Sequence, residues 1–347
     1  NKKTYLVLKS YELADEITIK QLDASANVQL GKFFPKSIGV QIPMYVGISE
    51  GIIDPQFDPL NPDLEMSESI SDQNPEEQQE KIKAARDLTS RKSINFTNVR
   101  ITPEKKSEKS YPWDVKNFSL SYSYSELYKR DIQTEYNTNK IYNGTLNYAY
   151  NHNMKPYSPF RNNKVLRKSK WFALIRDFNI TPLPKQFSFN TKIDRTYNET
   201  KARDITGNAL IIPQFNKTFT WDRMYSTNWN LTKALRINYN ANNQGFIEEP
   251  GNLQVNKKFY KDDYEIVKDS VWKSIQNFGE NNHFTQSADV SYTFPFKKIP
   301  LLDFVNLTTK YQASYDWQRA PLSQDSLGNT IQNSRNISWN GSLRMET

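Results

Sequence analysis

Cysteine is absent from the 347 residues, histidine occurs twice and glycine eleven times. Without thiols, neither disulfides nor thiolate metal sites can hold the fold together. The two histidines, His152 and His283, are far apart in loop-like sequence, and there is neither an H-E-x-x-H run nor a nucleophile elbow. The few glycines are too scattered to cradle a phosphate. Adjacent acids occur at Glu248-Glu249 and Asp262-Asp263, in solvated loop sequence. Asp54, Asp58 and Asp63 would be the acids to hold calcium, but they lack the ligand order and glycine of an EF-hand. No catalytic, cofactor or metal site is expected, and the chain is not expected to be an enzyme.

Long hydrophobic runs are missing too. Mean hydropathy is −0.79, only 37% of residues are hydrophobic, and nothing approaches the ~20 consecutive apolar residues of a spanning helix. That excludes a helical membrane protein but not a β-barrel, in which half of each strand faces water. The formal charge is +8, yet Lys and Arg are scattered rather than gathered into a stripe, so no nucleic-acid partner is expected. Asn1-Lys2-Lys3 leads into no apolar leader. The final alternation Ile337, Trp339, Gly341, Leu343, Met345 is still running where the sequence stops. Both ends therefore read as cut, and the chain as an internal piece of something larger and exported.

Aromatic residues are plentiful: 20 Tyr, 19 Phe and 7 Trp. They suit pleated strands and, with an apolar ring and a polar tip, the interfacial girdles of membrane barrels. Two runs show the pattern most fully. Phe284, Ala288, Val290, Tyr292, Phe294 and Phe296 alternate with polar residues, and so do Val305, Leu307, Tyr311, Ala313, Tyr315 and Trp317. Successive strand residues point to opposite faces, so each run has one apolar and one wet face. Both runs exceed the ~5–6 residues of an average soluble strand and reach the ~9–11 needed to cross a bilayer at a tilt. The short link Lys297–Asp303 between them suits an antiparallel hairpin.

Further strands are expected at Leu22–Phe34, from Ile38 with Pro43 marking an end or bulge, at Ser93–Ile101 and at Phe118–Glu126. The last alternates Phe118, Leu120, Tyr122 and Tyr124 with serines. Tyr142, Leu146, Tyr148 and Tyr150 repeat that pattern after the polar link Lys129–Lys140. The basic stretch Lys155–Lys170 precedes an apolar segment, Trp171–Ile180. Strands follow at Phe187–Tyr197, Phe215–Leu231 and Leu235–Ala241. Residues 49–92 and 243–283 are expected as extramembrane loops. The first is proline-dense, with a helix starting at Asn74-Pro75-Glu76-Glu77 and running to about Leu88. The second carries a helix over Asp262–Asn277 with its apolar residues at three- and four-residue spacing. Links 181–186, 232–234 and 297–303 are short, while 198–214, 243–283 and 318–336 are long, an alternation typical of barrels. Upstream, the parity fails by one strand if 93–101 spans the membrane.

These runs together resemble the giant outer-membrane translocon of the type IX secretion system, the SprA/Sov family of Bacteroidota. The resemblance rests on SRKSINFTNVR (90–100), WDVKNFSLSYSYSELYKRD (113–131), LIRDFNITPLPKQFSFNTKIDRTYNE (174–199), FTWDRMYSTNWNLTKALRINYNANN (219–243) and TFPFKKIPLLDFVNLTTKYQASYDW (293–317). The proline-rich FDPLNPDLEM (57–66) adds to it. It implies an all-β transmembrane antiparallel β-barrel, of which residues 1–347 form part of one very wide wall with helix-containing loops, in the outer membrane of a Gram-negative cell. It also implies export of folded cargo carrying a C-terminal signal domain, with a PorV-like shuttle barrel and a periplasmic plug protein as partners beside the remaining wall segments. The residues expected to face outer-membrane lipid are Phe118, Leu120, Tyr122, Tyr124, Tyr148, Tyr292, Leu307, Tyr311, Tyr315 and Trp317. An outer-membrane nutrient transporter, or a secreted all-β adhesion or binding module, would share much of this pattern.

Overall fold

The computed structural model describes residues 4–13, 17–102, 111–152, 155–205, 211–250, 261–321 and 323–344. Met345, the last residue of the closing alternation, lies outside them. The strands are β1 Thr4–Leu13, β2 Ile17–Gln29, β3 Val40–Gln41, β4 Pro43–Pro55, β5 Phe57–Asp58, β6 Asn61–Glu65, β7 Asp87–Ile101, β8 Phe118–Arg130, β9 Thr134–Asn151, β10 Gln186–Ala202, β11 Gln214–Trp229, β12 Leu235–Phe246, β13 Glu280–Thr293, β14 Val305–Gln318 and β15 Thr330–Leu343. The helices are α1 Met66–Ser69, α2 Pro75–Ala85, α3 Ala173–Arg176 and α4 Lys261–Gln276.

The order β1-β2-β4-β7-β8-β9-β10-β11-β12-β13-β14-β15 makes one antiparallel up-and-down sheet, with β3 paired to β7 and β5-β6 forming a separate ribbon. Each main strand pairs with the next main strand in sequence, so all connections are of hairpin type. The sheet is open. Its edges are β1 and β15, and among the described residues no pairing joins them. Only seven hydrophobic side chains are buried among the described residues, and α4 is the one helix longer than a turn that lies against the sheet among them, near the cap end.

Several sequence expectations shift. Residues 49–55 and 87–92, expected as loop, continue β4 and β7, so the 49–92 excursion contracts to 56–86. Likewise 243–283 contracts to 247–279, and the Lys129–Lys140 link to 131–133. The strands run on past their apolar stretch because polar residues pair equally well where both faces are wet. Trp171–Ile180 is not a strand. It holds a short 3-10 turn and α3, and only Ile180 makes an isolated bridge, with Tyr157. With β7 in the sheet and no strand between β9 and β10 among the described residues, the parity holds: 93–101 does not belong to the outer excursion, and there is no additional strand near 156–170. The first strand, β1, went unforeseen because its segment shows no clean alternation.

Links 56–86, 131–133, 203–213, 247–279 and 319–329 share one end of the sheet, here the cap end. Links 30–42, 102–117, 152–185, 230–234 and 294–304 share the other, the base end. The expected alternation of short and long links holds only in part: 230–234 is a tight base-end turn, but 152–185 is a long base-end excursion and 131–133 a tight cap-end turn.

At the cap end, Asn74 accepts a hydrogen bond from the Glu77 amide at 2.9 Å and closes a capping box with Pro75 at the first helical position. Helix α2 stops at Ala85 rather than near Leu88, because the chain must turn into β7 at Asp87. Helix α4 follows the expected three- and four-residue spacing almost residue for residue.

A two-faced wall as candidate functional site

Cross-strand partners share a face, so the register can be followed from strand to strand. Phe118 faces Tyr148, which faces Phe189, then Tyr225, Ala241, Gln286 and Tyr315. Leu120 leads to Leu146 and, through Thr191, Arg223, Asn243 and Phe284, to Trp317. Tyr122 and Tyr124 lie on the same side of β8. Tyr292 faces Thr309, between Leu307 and Tyr311 on one side of β14. All ten residues expected to face lipid therefore lie on a single face of the sheet. Many large side chains on it are open to their surroundings, among them Leu120 at 48%, Tyr311 at 40% and Trp339 at 61% exposure.

The opposite face is a polar ladder. Asn190 donates to Asn147, Asn228 to Asn238 at 2.5 Å, Asn143 to Ser123 at 3.1 Å and Gln312 to Asp289 at 2.9 Å. Lys192 pairs with Asp194 on the same face at 2.7 Å. Ser314 and Ser334 meet at 2.6 Å. These groups satisfy one another across strands and would also accept water.

The first charges on the apolar face are not level in register across the sheet. From the base end toward the cap end, the first charged residue met on this face is Lys20 on β2, Glu50 on β4, Lys92 on β7, Glu126 on β8, Lys140 on β9, Arg195 on β10, Arg223 on β11 and Arg335 on β15. Lys20 is level in register with Arg130, on the cap side of Glu126. Arg335 is level with Tyr150, on the base side of Lys140. The first charge is level on β7, β8 and β9 and lies lower in register on β10, β11 and β15, while β12, β13 and β14 carry no charged residue on this face along their length. Aromatic rings mark both margins. Tyr124 stacks at an angle on Tyr142 at 4.9 Å near the cap margin, and Phe294 lies 6.2 Å from Trp339 at the base margin.

Beyond the cap margin, charges are paired and the links fold back. Arg195 pairs with Glu249, whose side chain is 3% exposed, and Lys217 donates to the Pro250 carbonyl at 2.8 Å. Helix α4 lies over β9–β11 there. Between them is a cavity of about 920 Å³ that reaches back across the margin onto the apolar face and includes Tyr122, Tyr142, Ile193, Phe219, Val267 and Val271. Of the three acids Asp54, Asp58 and Asp63, the first two are engaged by cations: Asp54 pairs with Arg86 at 2.5 Å and Lys20 at 3.2 Å, and Asp58 with Lys81 at 2.9 Å. Burial pushes the Asp58 carboxyl up, but donation from Ser69, Lys81 and the Leu60 amide outweighs it and holds the group at about 2. His283 bonds Asp316 at 2.9 Å and His152 stacks on Tyr150; the two are at opposite ends of the sheet. Among the described residues, no group of His, Asp or Glu is placed to hold a metal.

Fold and face together define an antiparallel β-wall with one apolar and one polar surface. Residues 15–70, from the start of β2 through the ribbon and α1, match the SprA_N family model, described as a motility related/secretion protein. The match supports a relationship with the SprA/Sov family over that stretch, and with it a role in secretion or motility. A search of curated proteins finds no match.

Proposed function

We propose that this chain is a segment of the wall of the type IX secretion translocon, a protein-conducting barrel of the outer membrane. In this reading the apolar face meets lipid and the polar ladder lines a water-filled lumen through which folded cargo passes. The function comes from geometry rather than bond chemistry: a closed wall satisfies backbone groups in hydrocarbon, and a wide polar lumen admits a folded protein. The open edges at β1 and β15 would pair with further wall strands of the same barrel. The cap end, with its two helical links, would face outward and the base end the periplasm.

The observation that carries this reading is the two-faced sheet, on whose apolar face the first charge of β15, Arg335, lies ten residues of register below that of β8, Glu126. From Lys140 to Tyr150, the position level with Arg335, is ten residues of register, and β8 to β15 is seven strand-to-strand steps. At ~3.3 Å per residue and ~4.8 Å per strand this is a slope of roughly 45°. Strands of membrane barrels tilt by about 35–45°, and a flat bilayer surface would cut such strands along that diagonal. The uncharged run on this face from Val305 to Trp317, at ~3.3 Å per residue and a ~45° tilt, rises roughly 30 Å, enough to cross a ~25 Å apolar band. A soluble sandwich has no reason to set its polar boundary obliquely to the register.

The test is an image of the full-length protein in a lipid nanodisc. A closed wall with a lipid belt against Leu120 and Tyr311 supports the proposal. Two stacked sheets around a dry interior would overturn it. The shuttle, the plug and the C-terminally marked cargo are proposed as partners on the family resemblance alone.

A further inference from the structure

The base-end link 155–185 carries eight Lys or Arg against a single acid, Asp177. That acid is already engaged by Arg176 at 2.9 Å and, more distantly, by Lys298. Lys164, Arg167, Lys168 and Lys170 are exposed and form no ion pair among the described residues. Between them, large apolar side chains are equally open: Tyr157 is 65% exposed, Val165 63% and Trp171 60%. Isolated exposed apolar residues are ordinary, but several within one basic segment suit an interaction surface.

The link is fastened along the base-end rim rather than hanging free. The Thr181 amide donates to the Leu231 carbonyl at 2.8 Å, and Trp229 Nε1 donates to the Thr181 carbonyl at 2.8 Å. The Lys233 amide donates to Asn179 Oδ1 at 2.7 Å, and Asn179 and Thr181 are both buried. Trp229 faces Ile237 on the apolar side of the sheet, so the link is anchored where the apolar face ends at the base margin. Basic residues interleaved with aromatic ones at the edge of an apolar band suit a headgroup layer, in which long cationic side chains reach phosphates while rings enter the interface.

We propose that link 155–185 is an interfacial apron that binds the anionic phospholipid headgroups of the leaflet at the base end. Tyr157, Val165 and Trp171 enter the headgroup layer, and the lysines and arginines meet phosphates. The inference rests on the membrane reading above.

It is tested on the full-length protein in nanodiscs of phosphatidylcholine, with and without phosphatidylglycerol. A polarity-sensitive dye is placed at Val165→Cys or, separately, at Leu120→Cys, in a background without other reactive cysteines, and quenched by brominated lipid. The expected result is quenching at 120 in both discs, and at 165 several-fold stronger with phosphatidylglycerol. Replacing Lys164, Arg167, Lys168 and Lys170 with Gln should bring 165 to its phosphatidylcholine level while leaving 120 quenched, which shows that the variant's wall still assembles. Quenching at 120 with none at 165, or quenching at 165 indifferent to lipid charge, overturns the apron alone. Shielding of 165 by poly-glutamate but not by lipid would also overturn it, in favour of an acidic protein partner. No quenching at 120 overturns the membrane reading and the apron with it.

Discussion

Glu126 on β8 and Arg335 on β15 lie on the same face of one sheet, yet Arg335 is level in register with Tyr150, ten residues from the Lys140 that faces Glu126. Each is the first charge met on that face when its strand is followed from the base end. A boundary that is oblique in register becomes horizontal once the strands tilt, which is how the strand packing and the proposed bilayer fit together.

The cost of charge on this face should depend on depth. Leu120 sits mid-way along its apolar stretch, and Leu120→Arg is expected to cost ~2–4 kcal/mol of assembled stability. Leu307 lies close to the base margin, so Leu307→Arg should cost ~1 kcal/mol or less. Asn306→Arg, on the polar face, should stay within ~0.5 kcal/mol. Urea titration of the refolded full-length protein in bilayers gives the three values. Equal costs at 120 and 306 would reverse the face assignment.

The cap-end ribbon should open in acid. Asp58 has its carboxyl held at about 2, against an ordinary value of 3.8. A lowered folded value means that its contribution is present above pH ~4 and is lost as the pH falls through ~2, a term on the order of 2 kcal/mol. Hydrogen exchange across 56–86 should therefore accelerate in that window, and Asp58→Asn should give the acid-like rate at neutral pH. Unchanged exchange in the variant would show that the Ser69 and Lys81 contacts do not hold the module.

Gly279 should resist substitution. It follows α4 with φ +66°, donates to the Ser274 carbonyl at 2.8 Å, and a Cβ there would lie 2.8 Å from the Phe246 backbone oxygen. The left-handed conformation alone costs a side chain ~1–2 kcal/mol. Gly279→Ala is expected to loosen the docking of α4 and increase exchange of its amides, leaving β11–β12 protected. Gly328 has φ +71° with open space around it, so Gly328→Ala, which meets the same conformational cost without the clash, is the control.

Much of the wall was legible in the sequence, because alternation needs only period two and a burial difference between faces. Phe118–Tyr124 and Tyr311–Trp317 carry both, and their strands and faces follow directly. Helix α2 announced itself through Asn74, Pro75 and Glu77, and α4 through its spacing. What stayed hidden is what depends on register. The ten apolar residues were assigned strand by strand, and only pairing shows that they share one surface or that its first charges are not level. Strand ends were missed wherever polar residues continue the pairing, as at Thr134–Lys140 and Asp87–Lys92. Trp171–Ile180 could not be assigned to a face at all: a continuous apolar run lacks a period, and here it lies along the base-end rim as short helical turns.

The most direct test of the central claim is spin-label depth in nanodiscs of the full-length protein, read by oxygen and nickel-complex collision rates. Labels at 126 and 335 should report the same depth, near one headgroup layer, and the label at 150 should lie deeper in or beyond the hydrocarbon. If 335 and 150 instead report the same depth, the strands are not tilted to a bilayer and the apolar face is not a membrane belt.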